Sequence, residues 1–278
     1  MNRSILSASS TMAQLQKKID TIGQNLANTN TNGFKRRETS FNDLLFQQIN
    51  NQPDAPKEVG RRTPDGIRQG SGAKLSETNI RMEQGALNIT ERPLDLALTR
   101  PNEFFELLTE ENGQYLTRYT RDGAFYLSPT EEEGQLALVT SKGDYVVDGE
   151  GEPIYLPDNY KNIKFTETGE IIVTNDDNTE QSVGQLQLVR VIRPQLLLST
   201  GDNQYGLPDL EALNLFEEEV FEYVDPTEGS IQQGALEMSN VDFAAEMTEL
   251  MTAQRSYQFN AKSISISDQM AGLITSLR

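Results

Sequence analysis

Apolar residues recur at the start of the chain at spacings of three and four: Ile5, Ala8, Met12, Leu15, Ile19, Ile22 and Leu26. That is the period of one helix face, and it approaches the heptad rule of a coiled-coil seam. Gln14, Lys17, Lys18, Thr21 and Asn28 fall on the other side. The run Asn28-Thr29-Asn30-Thr31-Asn32-Gly33 then supplies residues that tolerate left-handed backbone, which predicts that the helix stops there. The end of the chain repeats the pattern. Phe243, Met247, Leu250, Gln254, Tyr257, Ala261, Ile264 and Ala271 share one stripe, broken by Asp268. Ser239 or Asn240 can cap this second helix, and Asp242 in its first turn suits the helix dipole.

Between the two stripes the pattern changes twice. Residues 38–75 are punctuated by Pro53, Pro56, Pro64, Gly60, Gly66, Gly70 and Gly72, which predicts an extended linker with a short helix over Phe41–Gln48. From Leu75 to about Tyr223 short apolar runs alternate with turn signals. The runs include 115–119, 125–127, 136–140, 145–147, 163–165, 171–173 and 186–192. Asp122-Gly123, Lys142-Gly143, Asp148-Gly149 and Thr168-Gly169 read as hairpin turns between them. No helical period interrupts this stretch, which argues against a parallel α/β sheet. The expected class is therefore α+β: N- and C-terminal helices forming a coiled-coil-like pair, with a central antiparallel β domain. The expected division is a helix over 1–33, the linker over 34–75, the β domain over 76–230 and the second helix over 231–278.

A single narrow stripe does not make a helix stable by itself. Seven medium apolar side chains contribute on the order of 10 kcal/mol when buried. Ordering the two dozen residues that carry them costs roughly 1 to 2 kcal/mol each in backbone entropy. The pair becomes stable either by packing within one monomer or by packing side by side with copies of itself, and periodicity leaves both open.

Composition narrows the chemistry. The chain has 278 residues, a net charge of −18, no cysteine and no histidine. These absences remove disulfides, thiolate nucleophiles, Cys-ligated zinc and the commonest general base near neutral pH. Arg3, Lys17, Lys18, Lys35, Arg36 and Arg37 face Asp20 alone in the first 37 residues, so the acidic charge belongs to the middle. An acidic middle repels nucleic acid, whereas the ends can approach other chains. Mean hydropathy is −0.55, and no apolar run approaches the ~20 residues of a membrane span. The first residues alternate apolar and polar, unlike a cleaved secretory signal. Gly66–Lys74 faintly suggests a phosphate loop but lacks its Gly-Lys-Ser/Thr ending. Glu131-Glu132-Glu133, Asp176-Asp177 and Glu217-Glu218-Glu219 lack the alternation of a calcium loop. The expectation is no cofactor, no metal, no nucleic acid and no small-molecule substrate. A carboxylate hydrolase stays as an alternative, to be recognised by two carboxylates about 5 to 9.5 Å apart in a cleft.

Three motifs carry a resemblance. Gln24-Asn25-Leu26-Ala27-Asn28-Thr29-Asn30-Thr31-Asn32-Gly33-Phe34-Lys35-Arg36 resembles the N-terminal signature of the flagellar basal-body rod and hook family. Gln233-Gly234-Ala235-Leu236-Glu237-Met238-Ser239-Asn240-Val241-Asp242, followed by Arg255, Tyr257, Asn260, Ala261 and Lys262, is similar to its C-terminal segment. Pro93–Leu98, Arg121-Asp122-Gly123-Ala124-Phe125 and Gly149–Pro157 resemble its β domain, and Thr63–Leu87 looks most like a distal rod protein. The resemblance implies a non-enzymatic structural subunit that polymerises through its terminal helices, with itself and other rod and hook subunits, to transmit torque. Inter-subunit packing would fall to Ile5, Met12, Leu15, Ile19, Ile22, Leu26, Phe243, Met247, Leu250, Tyr257, Ala261 and Ile264. It also implies location in the flagellar basal body, reached through the type III export apparatus without a cleaved signal peptide. Phe41, Leu44 and Leu45 resemble the segment that the export gate recognises, and also read as a short amphipathic helix that simply packs. The other reading within the flagellum is a monomeric assembly scaffold or a cap-like protein. The family's Gly-x-Gly-Phe-Phe corner is replaced here by Pro101-Asn102-Glu103-Phe104-Phe105, so the local turn must differ.

Overall fold

The computed structural model describes residues 2–43, 47–49, 67–70, 73–111, 113–130, 134–175, 178–210, 212–225 and 228–276. The chain divides into two compact units, one made of 1–26, 37–79 and 243–278, the other of 27–36 and 80–242.

The first unit holds the two α-helices of the described residues, α1 (Asn2–Ala27) and α2 (Phe243–Ser276). α1 ends where the Asn/Thr run begins, with the amide of Thr31 returning to the Asn28 carbonyl at 3.2 Å. The same unit contains strands. Arg37–Asp43 pairs with Ala73–Ile80, and Gln47–Ile49 pairs antiparallel with Ile67–Gln69. The helix expected over Phe41–Gln48 is therefore not formed; residues 44–46 lie outside the described set. Backbone pairing decides this, because Ala73–Ile80 supplies a partner that a local sequence window cannot see, and the Asn42 side chain donates to Ser76 Oγ at 2.9 Å.

The second unit is built on a ten-stranded antiparallel sheet. At its centre Glu103–Glu111 pairs through Phe105–Glu111 with Gln114–Thr120. Its other edge is shared between Leu188–Val191 and Tyr145–Val146. Alternation on the central strand sends Phe105 and Leu107 to one face and Phe104 to the other. Phe105 and Leu107 join a core with Leu96, Phe125, Leu138, Ile163 and Val173, whereas Phe104 joins Tyr119, Val189, Tyr205 and Phe221. Edge-on ring packing fixes both, with centroids 5.1 Å apart for Phe105–Phe125 and 5.6 Å for Phe104–Tyr205. A three-stranded sheet of Tyr160–Phe165, Glu170–Asn175 and Glu180–Gln185 joins the first core through Ile163, Phe165, Ile171 and Val173.

Lys142-Gly143 and Thr168-Gly169 do turn hairpins, with Gly143 and Gly169 at positive φ. Asp122-Gly123 does not. The Gly123 carbonyl accepts from the Leu96 amide at 3.0 Å, and a Cβ at Gly123 would stand 1.7 Å from the Leu96 oxygen. This glycine permits two backbones to touch. At the altered corner, Asn102 takes the positive φ (63°) that glycine usually supplies, and its carbonyl accepts from Val191.

Candidate functional site

Two local arrangements carry the motifs. In the helical unit the side chain of Asn25, 1% exposed, mimics a strand: its Nδ2 donates to the Arg37 carbonyl (2.8 Å) while its Oδ1 accepts from the Arg37 amide (3.0 Å). The same Nδ2 lies 3.3 Å from Glu246 Oε2 on α2, and Lys18 pairs with Glu249 at 2.5 Å. α1 and α2 are thus joined by polar pins.

The expected stripe residues sit where a helix pair half-covers them. Ile22 is buried, whereas Ile5, Met12, Leu15, Ile19, Leu26, Met247, Leu250, Tyr257, Ala261 and Ile264 are partly exposed; Phe243 is exposed. Reading one stripe missed a second. Met251, Phe259, Ile266, Met270 and Leu273 are all exposed on α2. At 100° per residue they lie on the side opposite Tyr257 and Ile264. The signal was in the sequence as the near-heptad steps from Met251 to Phe259, Ile266 and Leu273. Phe41 is exposed on a strand, with Lys18 Nζ 5.6 Å from its ring centre. Leu44 and Leu45 lie outside the described residues.

In the β unit, the three charged motif residues Lys35, Arg121 and Glu237 meet in one buried junction that sequence reasoning did not single out. Glu237 Oε1 accepts from Lys35 Nζ (2.7 Å) and the Gly85 amide (2.8 Å), and Oε2 accepts from Arg121 Nε (2.6 Å). The rest of the Arg121 guanidinium donates to the carbonyls of Leu98, Arg100 and Glu103. Lys35 also donates to the Glu83 carbonyl at 2.9 Å. All three residues are at most 2% exposed. Burial would push the Glu237 carboxyl up, but Arg121 and then Lys35 outweigh it and hold it below the usual carboxylate range. Burial, reinforced by Arg121 and opposed by Glu237, brings the Lys35 ammonium down to about 8. The junction is therefore chiefly an Arg121–Glu237 pair, with Lys35 completing the hydrogen bonds.

Backbone contacts knit the same place. The Gly33 amide donates to the Glu237 carbonyl at 2.7 Å. Asn240, expected as a helix cap, is used otherwise: its Oδ1 accepts from the Arg36 amide, and its Nδ2 donates to the carbonyls of Arg81 and Glu83. Gly33, at φ +66°, and Gly85 both abut backbone, of Arg121 and Met238 respectively, where a Cβ would clash. Such an arrangement holds chain segments together; its charges are consumed by one another, and it has no room for a reacting group. Among the described residues no cluster of acidic residues is arranged to hold a metal ion.

Comparison with known proteins agrees with these motifs. Residues 5–35 match the family described as flagella basal body rod protein, 101–173 the flagellar hook protein FlgE/F/G D1 domain, and 232–277 the flagellar basal body rod FlgEFG protein C-terminal. The chain is 41% identical to the flagellar hook-basal body complex protein FlhP of Bacillus subtilis, covering 100% of both chains. It is 33% identical to the flagellar basal-body rod protein FlgG of Borreliella burgdorferi, over 100% of this chain and 99% of that one. With FlgG of Caulobacter vibrioides it shares 35% identity over 99% of each.

Proposed function

Because the chain belongs to the flagellar basal-body rod and hook family, it is a structural subunit of that axial structure rather than an enzyme, and we propose that α1 and α2 are the elements through which it polymerises. It acts in the basal-body rod, among other axial subunits. The observation that carries the proposal is the bifacial character of α2. One apolar stripe, through Met247, Leu250, Tyr257, Ala261 and Ile264, is half-covered, while the opposite one, through Phe259, Ile266 and Leu273, is open to solvent. On α1, Ile5, Met12, Leu15, Ile19, Ile22 and Leu26 form the matching seam. In a stack of subunits the half-covered residues and Phe243 become fully buried, and each helix pair gains the partner it lacks alone. α1 and α2 are then the axial segments, and the β unit of 27–36 and 80–242 is the domain they carry.

The finer partners belong to the same reading. Phe41, Leu44 and Leu45 engage the flagellar type III export apparatus, which exports the chain without cleaving a signal peptide. The likeness of Thr63–Leu87 to distal rod proteins supports a distal position.

Leu15→Asp and Ile19→Asp test the helix seam. Each should abolish incorporation into the axial structure while the β unit keeps its circular dichroism signature. Normal incorporation of either variant would show that this stripe is not an assembly surface.

A further inference from the structure

Beside the strand Phe221–Tyr223 the β unit opens a groove of about 760 Å3, lined by Ile192, Phe216, Phe221 and Tyr223 and rimmed by Glu217, Glu218 and Glu222. Phe216 is 75% exposed, and Ile192 and Tyr223 are more than half exposed. Exposed apolar side chains gathered in one place on a charged surface mark an interaction site. The rim is unusual because its charges have no answer among the described residues. Among the described residues no cation pairs with Glu217, Glu218 or Glu222. The nearby arginines are already engaged, Arg190 by Glu103 and Glu228, and Arg193 by Glu219.

A fourth carboxylate lies beneath. Glu106 shares the sheet face of Phe104, whose cluster includes the groove residue Phe221. It is 8% exposed. Burial, and then the charge of Glu217, pushes its carboxyl up to about 7. A mostly buried carboxylate beside other acidic charges is costly to keep ionised, and an arriving cation offsets that cost.

The same unit carries the complementary feature. On the strand Tyr160–Phe165 the register slips between Tyr160 and Asn162. Lys161, Asn162 and Lys164 are all left exposed, while Ile163 and Phe165 turn into the core. Among the described residues Lys161 meets only the Asn178 side chain, at 3.3 Å, and neither lysine has a carboxylate partner.

We propose that this groove is one half of a contact between copies of the chain: it receives Lys161 and Lys164 of a second copy, whose aliphatic stems lie against Ile192, Phe216 and Tyr223. This rests on the reading that the chain polymerises, and it adds a contact between β units to the helix seam. Charge complementarity selects the occupant, since the acidic middle of a neighbouring copy would otherwise be repelled here. The geometry selects the mode. A groove on one patch and lysines on another make a heterologous contact, which propagates into an open helix when the rotation does not close. That is what an axial structure requires.

The test uses the full-length chain in three forms: Glu217→Lys with Glu218→Lys, Lys161→Glu with Lys164→Glu, and all four together. Association is followed by sedimentation velocity over a concentration series, with Leu15→Asp as reference and circular dichroism to check folding. Each double reversal should weaken association roughly tenfold or more, and the four-fold swap should restore it. If the double reversals associate like the parent while Leu15→Asp does not, the groove contact is wrong and helix-driven polymerisation stands. Weakening without restoration in the four-fold swap also overturns it, because the two patches then do not meet. If Leu15→Asp and every charge variant match the parent, both readings fall.

Discussion

Replacing Arg121 by methionine probes the buried junction most directly. The guanidinium is fully enclosed and donates to Glu237 Oε2 and to the carbonyls of Leu98, Arg100 and Glu103. Methionine fills most of the volume but offers no donor. Glu237 is left with Lys35 and the Gly85 amide on one oxygen and nothing on the other. Removing one partner of a buried ion pair costs about 3 to 5 kcal/mol, a large part of the 5 to 15 kcal/mol that a domain has in total. Lys35→Met behaves differently. Burial and Arg121 hold the Lys35 ammonium at about 8 rather than 10.5, so keeping it charged at pH 7 costs the folded state about 3 kcal/mol. That penalty is complete below about pH 8 and gone above about 10.5. Methionine at 35 removes that penalty along with the hydrogen bonds, so it costs less at pH 7 than Arg121→Met. Urea unfolding of the full-length chain measures both. Of the nine tyrosines, all but Tyr257 lie within 80–242, and the chain has no tryptophan, so tyrosine fluorescence reports on the β unit. If Arg121→Met costs less than about 1 kcal/mol, or no more than Lys35→Met, the junction is not an Arg121–Glu237 anchor and the argument fails.

Glu106, raised to about 7 by burial and Glu217, stabilises the fold when protonated; that contribution is full below about pH 4.5 and lost as pH rises through about 7. Glu106→Gln should therefore raise stability at pH 8 by up to about 3 kcal/mol and change it little at pH 4.5, and equal urea midpoint shifts at the two pH values would contradict this. Gly123→Ala should cost about 3 kcal/mol, since its Cβ would stand 1.7 Å from the Leu96 oxygen. Gly143→Ala, at φ +96° with open space around it, should cost about 1 kcal/mol in the same assay, and equal costs would mean that backbone approach is not what Gly123 serves.

What was legible in the sequence is what depends on short spacings. The stripe from Ile5 to Leu26 and the Asn/Thr run after it mark α1 and its stop at Ala27, because helix faces and stop signals are local, although the expected segment of 1–33 runs six residues past that stop. The antiparallel β character and two of the glycine hairpins were equally local. Pairings between distant segments were not. Leu87–Ile89 pairs with Ala235–Glu237, and Leu96–Leu98 with Ile231–Gln233; nothing in either window names its partner. The error at Phe41–Gln48 has the same cause, as does the reading of Asp122-Gly123 as a hairpin. The junction escaped for a further reason. Charged residues are ordinarily exposed, so Lys35 after Phe34 and Glu237 between Leu236 and Met238 look like surface positions until the fold brings Arg121 to them. Their immediate apolar neighbours were the available signal.

The convergence of those motifs has a mechanical meaning for a subunit that transmits torque. The β unit is entered through Gly33–Arg36 and left through Glu237–Asn240, two segments some two hundred residues apart in sequence. Within that unit they are adjacent: Gly33 bonds to the Glu237 carbonyl, Arg36 to Asn240, and Lys35 to the Glu237 carboxylate. A hydrogen-bonded loop alone would let one segment slip against the other. Crossing them with a dry ion pair raises the cost of slipping, because any displacement leaves a buried charge without its partner. The leads toward both terminal helices thus depart from one locked point. A load applied through either lead is delivered to the same few residues of the β unit. This explains why the most specific motifs of the chain surround Lys35, Arg121 and Glu237 rather than the apolar stripes, which many sequences could satisfy.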